Sequence, residues 1–137
     1  DNHEYFAHKY DIAKNIKENL NLLARNLKLS RECKDFFGKD LEKNIYLNNK
    51  NHLIDLNIFN FVNNNKRKEK DFSDTLKKIL QSKNNIFPID GKYLMQKGMK
   101  EGLKLGRVLK MIEEEWIANG FEISKNRVVE IIKLSSN

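Results

Sequence analysis

Five of the six glycines and the single proline of this chain fall in one stretch, Phe87 to Phe121, which reads FPIDGKYLMQKGMKEGLKLGRVLKMIEEEWIANGF. Glycine has no Cβ, so it turns with positive φ and lets another backbone come close. Gathering Gly91, Gly98, Gly102, Gly106 and Gly120 in one segment therefore places tight turns and a bare surface there. Asp90 stands as a helix N-cap, Gly98 as a C-cap glycine, and Met99–Glu101 as a hairpin. Gly102 opens a long helix that runs to Asn119 on the apolar stripe Leu105, Val108, Leu109, Ile112 and Trp116.

Charge is concentrated in the same place. Between Gly91 and Met111 stand Lys92, Lys97, Lys100, Lys104, Arg107 and Lys110 against one carboxylate, Glu101, so this segment holds +5 of the chain's +7. Glu113, Glu114 and Glu115 follow at once. A helix start offers unpaired N–H groups and the positive end of a dipole, which suits phosphate. Glycines at 98, 102 and 106 would keep that approach open. The candidate RNA-binding set is Lys92, Tyr93, Lys97, Gly98, Lys100, Gly102, Lys104, Gly106, Arg107 and Lys110, with Tyr93 placed either to stack on a base or simply to pack. Such a site reads phosphates and shape rather than base sequence. The bland alternative is that the glycines let two helices pack closely.

The rest of the chain reads as Lys- and Asn-rich helix: 21 lysines, 5 arginines and 19 asparagines in 137 residues. Residues 5–29 carry Ile12, Ile16, Leu20, Leu23 and Leu27 at helical spacing, and Ser30 reads as the N-cap of a second helix over 31–47. That helix would bury Phe36, Phe37, Leu41 and Ile45, with Gly38 interrupting it and Cys33 a small core residue. Residues 52–62 predict a helix on Ile54, Ile58 and Phe61 or Val62, and 71–82 one with Phe72, Leu76, Ile79 and Leu80 inward. The run Lys66–Lys70 reads as a solvated connector or a second phosphate contact. Pro88 holds Ile86–Ile89 extended, and Ser124 caps a last helix over 125–134. The expected fold is all-α, about seven helices, with a helical region over 1–85 and a glycine-rich, helix–hairpin–helix-like segment over 86–137.

One cysteine excludes an internal disulfide and a cysteine-based zinc site, and fits a reducing, cytoplasmic setting. His3 and His8 are five apart and do not share a helical face well, so they and His52 read as surface or partly buried histidines and not as a metal site. No apolar run is long enough to span a membrane. The chain begins at Asp1 rather than methionine, which suggests a piece of a longer protein.

The run Phe87-Pro88-x-Asp90-Gly91-Lys92-x-Leu94-Met95-x-x-Gly98-x-x-x-Gly102-x-x-x-Gly106-x-x-Leu109-x-x-x-Glu113-x-x-Trp116 resembles the C-terminal tail of bacterial class II tRNA nucleotidyltransferases, the CCA-adding enzymes, and the related bacterial poly(A) polymerases. The resemblance is dense over 86–121 and weaker back to about Phe36. It departs where those proteins often carry proline beside the second glycine, here Glu101 and Leu103, and serine before the first, here Asp90. It implies a tail that holds tRNA at its elbow while a separate head, using Mg2+ with ATP and CTP, extends the RNA 3′ end. The Asp-x-Asp pair of such a head and the Glu-Asp-x-x-Arg element of its neck do not occur in this sequence, and Asp71-x-x-Asp74 has the wrong spacing to replace them. This chain alone is therefore expected to be non-catalytic and to hold no cofactor. A helical protein-interaction module and a helix–hairpin–helix DNA-binding domain stand as alternatives.

Overall fold

The computed structural model describes residues 2–136, apart from the side chain of Phe6, and the described residues form seven helices and no strand. They are α1 (Asn2–Glu32), α2 (Leu41–Asn48), α3 (Lys50–Asn63), α4 (Glu69–Gln81), α5 (Gly91–Gln96), α6 (Leu103–Ala118) and α7 (Lys125–Ser135). The all-α expectation holds. The chain divides into two compact units, one ending at Lys83 and one starting at Asn84.

The first unit packs α1, α2 and α4 against α3. Its apolar core is Phe36, Leu41, Ile45, Leu53, Leu56 and Ile79, with Leu23, Leu27, Phe37 and Ile54 closing around it. α3 turns a different face inward from the one its apolar spacing suggests. Leu53, Leu56, Asn57 and Asn60 are buried, while Ile58, Phe59 and Val62 face solvent. The reason is polar. Asn60 Nδ2 donates to Ser30 Oγ at 2.9 Å, and Ser30 Oγ donates to the Leu27 carbonyl at 2.7 Å. Ser30 is thus a buried junction inside α1 and not an N-cap. The chain from 33 to 40 turns instead of continuing the second helix, with Gly38 N–H on the Asp35 carbonyl.

Arg67 closes the same network from the opposite side. Its guanidinium donates to the Asn57 carbonyl, Asn60 Oδ1 and Thr75 Oγ1 at 3.1–3.3 Å and lies 4.6 Å from the centre of the Phe37 ring. Burial pulls its pKa below the ordinary value, with Asp71 opposing. The run Lys66–Lys70 is therefore not a uniformly solvated connector; one of its cations is structural. Thr75 is buried on α4, where Leu80 is 60% exposed rather than inward. Cys33 is exposed, not a core residue.

The second unit is built as its sequence pattern predicts. Leu94, Leu105, Val108, Ile112, Val128, Ile131 and Ile132 form its core, with Phe87, Ile89, Tyr93, Met99, Leu109 and Ile123 packed against them. The apolar side chains of Met95 on α5 and Leu134 on α7, which the sequence pattern would also turn inward, lie exposed. Asp90 caps α5 by accepting from Tyr93 N–H at 2.9 Å, and Ser124 caps α7 by accepting from Arg127 N–H at 3.1 Å. Trp116 sits between two rings, Phe87 at 5.3 Å and Phe121 at 5.0 Å. The edge-to-face contact with Phe121 accompanies a positive φ of 65° at that residue, where Phe121 N–H bonds the Trp116 carbonyl and ends α6.

Candidate nucleic-acid interface

The glycine segment is a helix, a turn and a second helix within one unit. α5 ends in a C-cap arrangement: Gly98 N–H bonds the Met95 carbonyl and Met99 N–H reaches back to Leu94. Gly98 at φ 100° and Gly102 at φ 146° make the two reversals that turn the chain into α6. Gly102 is the N-cap residue of α6, and no side chain caps that end. The N–H groups of its first turn are thus left to solvent or to a ligand.

A groove of about 450 Å³ opens at this turn, lined by Gly98, Met99, Lys100, Glu101, Gly102, Leu103, Lys104 and Ser136. Of the ten residues singled out from sequence, Gly98, Lys100, Gly102 and Lys104 share it. Gly106, Arg107 and Lys110 lie further along the exposed side of α6. Leu103, Arg107, Lys110 and Glu114 follow at steps of four, three and four, so they form one exposed row. Lys92, Tyr93 and Lys97 belong to α5 and its end and do not line the groove. Tyr93 packs on the core, and the Lys97 ammonium lies 5.5 Å from its ring centre, so the ring already has a cation and an apolar bed.

A Cβ built on Gly98, Gly102 or Gly106 would meet no atom within 4 Å. No helix of the second unit fills the space beside these glycines, so close packing inside that unit does not account for them. Gly91 is different, since a Cβ there would meet Leu105 Cδ2 at 3.4 Å, in van der Waals contact.

The charges of α6 oppose its own dipole. Lys104 occupies the first turn, where anions are favoured, and Glu115 the last, where cations are favoured. Glu115 is answered by Arg127, whose Nε and Nη2 donate to its carboxylate at 2.9–3.1 Å. That bond holds the Glu115 pKa below the ordinary carboxylate value. Arg127 also reaches Glu130 at 3.3 Å. The amino end has no such answer.

Sequence reasoning missed three features of the interface. Leu103 is 84% exposed at the mouth of the groove, Met111 is 54% exposed on α6, and Ser136 lines the groove from the end of α7. The first two were findable, because 103 and 111 fall off the 105, 108, 112, 116 stripe. Ser136 arrives only through the packing of α7. Among the described residues, no three His, Cys, Asp or Glu side chains gather where a metal ion could be held, and no helix is long and apolar enough to cross a membrane. Comparison with protein-family models, with curated proteins and with solved structures found no match.

Proposed function

We propose that the second unit grips an RNA backbone, with tRNA as the favoured ligand, through phosphates laid against the amino end and basic face of α6. In this reading the chain is the holding part of a template-independent nucleotidyltransferase that extends RNA 3′ ends, and the chemistry is carried by residues other than these. One observation supports it above the rest: α6 keeps a bare glycine and a row of cations where its own stability favours alanine and carboxylates. A helical Gly106 costs about 1 kcal/mol relative to alanine, and nothing in its unit stands near enough to need the space. Lys104, a cation in the first turn at the positive end of the helix dipole, costs several tenths more. A phosphate at that end would turn the charge cost into a favourable interaction and could use the space that the glycine leaves open.

Glu101, the one carboxylate in the groove, works against such a ligand and sets a limit on its affinity. The test is tRNA binding by the full chain across a salt series. Replacing Arg107 and Lys110 together by glutamine should weaken binding and reduce the salt slope by about 1.4–1.8, at about 0.7–0.9 for each phosphate that a cation no longer neutralises. Equal binding by parent and double variant at low salt would reject the site.

The exposure of Leu103 and Met111 beside the glycines favours a second reading, in which the same face docks a partner helix. Light scattering separates the two, since a dimer abolished by Leu103→Ser would favour docking. Competition between tRNA and duplex DNA decides against or for the helix–hairpin–helix alternative.

A further inference from the structure

His52 is not absorbed by the reading above, and its surroundings have a fixed polarity. Asn26, buried on α1, donates through Nδ2 to two groups: Asn48 Oδ1 at 3.3 Å and His52 Nε2 at 2.9 Å. Asn48 in turn donates through its own Nδ2 to the Asn44 carbonyl at 3.1 Å. That last bond fixes which end of the Asn48 amide is oxygen. The Asn48 oxygen then fixes the Asn26 amide, because a flipped Asn26 would set two oxygens against each other. His52 Nε2 is therefore an acceptor, and the neutral ring carries its proton on Nδ1.

We infer that Asn26, Asn48 and His52 form a pH-sensitive latch that fastens the carboxyl half of α1 to α2 and α3. Protonating His52 turns Nε2 into a donor that faces another donor. The bond is lost, and Asn26 cannot rotate to recover it without losing Asn48.

Burial holds the His52 pKa below its ordinary 6.5, with Asp55, one turn along α3, opposing. The other side chains that share its cleft are Ile16, Asn19, Leu20, Leu23 and Asn49, all uncharged, and the α2 residue bound to the same Asn26 amide, Asn48, is uncharged too. Because the folded pKa lies below the unfolded one, the unfolded chain binds the proton more readily. The latch is fully made above pH 6.5 and is lost as the pH falls through the folded pKa. What it releases is specific. α1 runs 31 residues, and its stretch up to Leu20 already presents Ile12, Ile16 and Leu20 at 45–60% exposure. The latch sits in the stretch that follows, where Leu23 and Leu27 close around the core.

Hydrogen exchange of the full chain tests this. Protection factors for α1 amides 23–30 should fall about two- to tenfold between about pH 7.5 and about pH 5, the range set by one net hydrogen bond. His52→Gln supplies an acceptor that does not titrate, so in that variant the pH dependence of protection should disappear. An NMR titration of the His52 ring in the unmodified chain gives a second reading that needs no variant. A ring pKa below 6.5 that rises in Asn26→Ala supports the latch. Protection that is unchanged with pH, or that changes equally in His52→Gln, would overturn it, as would a ring pKa at or above 6.5.

Discussion

Arg67 and Arg127 show how differently the two units are held. Arg67 reaches into the first unit and donates to three neutral oxygens, one from a carbonyl, one from an amide and one from a hydroxyl. Arg127 stays at the rim of the second unit, its side chain 39% exposed, and grips two carboxylates. The first unit buries Asn26, Ser30, Asn57, Asn60 and Thr75 beside its apolar core, whereas every described buried residue of the second is hydrophobic. Each buried polar group must find a partner or pay its desolvation. Among the described residues Asn57 Oδ1 finds none. The first unit is therefore specified by a polar network with directional demands, the second by shape and volume.

That contrast predicts opposite sensitivities. In the second unit the largest effect should come from a cavity. Ile112 is fully buried at the centre of its core, and Ile112→Ala should destabilise by about 3–4 kcal/mol in denaturant unfolding. A change below about 1 kcal/mol would mean that this core collapses around the gap and is not held by shape. In the first unit the equivalent damage is polar. Arg67→Met keeps much of the side-chain volume but leaves the Asn57 carbonyl, Asn60 Oδ1 and Thr75 Oγ1 unanswered, at about 2–3 kcal/mol. Arg127→Met, at a partly exposed rim, should destabilise measurably less. If the two arginine variants unfold at the same denaturant concentration, the contrast between the units fails.

The same contrast explains what can be read from sequence. In the second unit Asp90, Ser124, Gly98, Gly102 and the stripe 105, 108, 112, 116 are all legible, because a cap, a positive φ and an apolar face each have a local signature. In the first unit a search for apolar spacing discards Asn57, Asn60 and Thr75 and so rotates α3 and α4 toward Ile58, Val62 and Leu80, which are exposed. Ser30 followed by Glu32 has the composition of a helix start, yet its hydroxyl is used by Leu27 and by Asn60, 30 residues further along the chain. Arg67 is hidden in the charged run Lys66–Lys70, since nothing local marks the one cation that turns inward. For the interface, the cations and glycines are legible. The groove is not, because Ser136 joins it from just past the end of α7.

The smallest expected change in stability is the most informative about the interface. Gly106 is a helical, exposed glycine with open space around it. Gly106→Ala should therefore stabilise the second unit, by about 0.5–1 kcal/mol, because alanine restricts the unfolded chain and suits the helix. If the bare face exists for a close-approaching backbone, the same methyl group should weaken tRNA binding while the fold improves. A structural glycine would give the reverse sign in stability. A glycine of no consequence would give the added stability with tRNA binding unchanged. Only a surface kept bare for a ligand gives both, so thermal unfolding and tRNA titration on one variant separate the three cases.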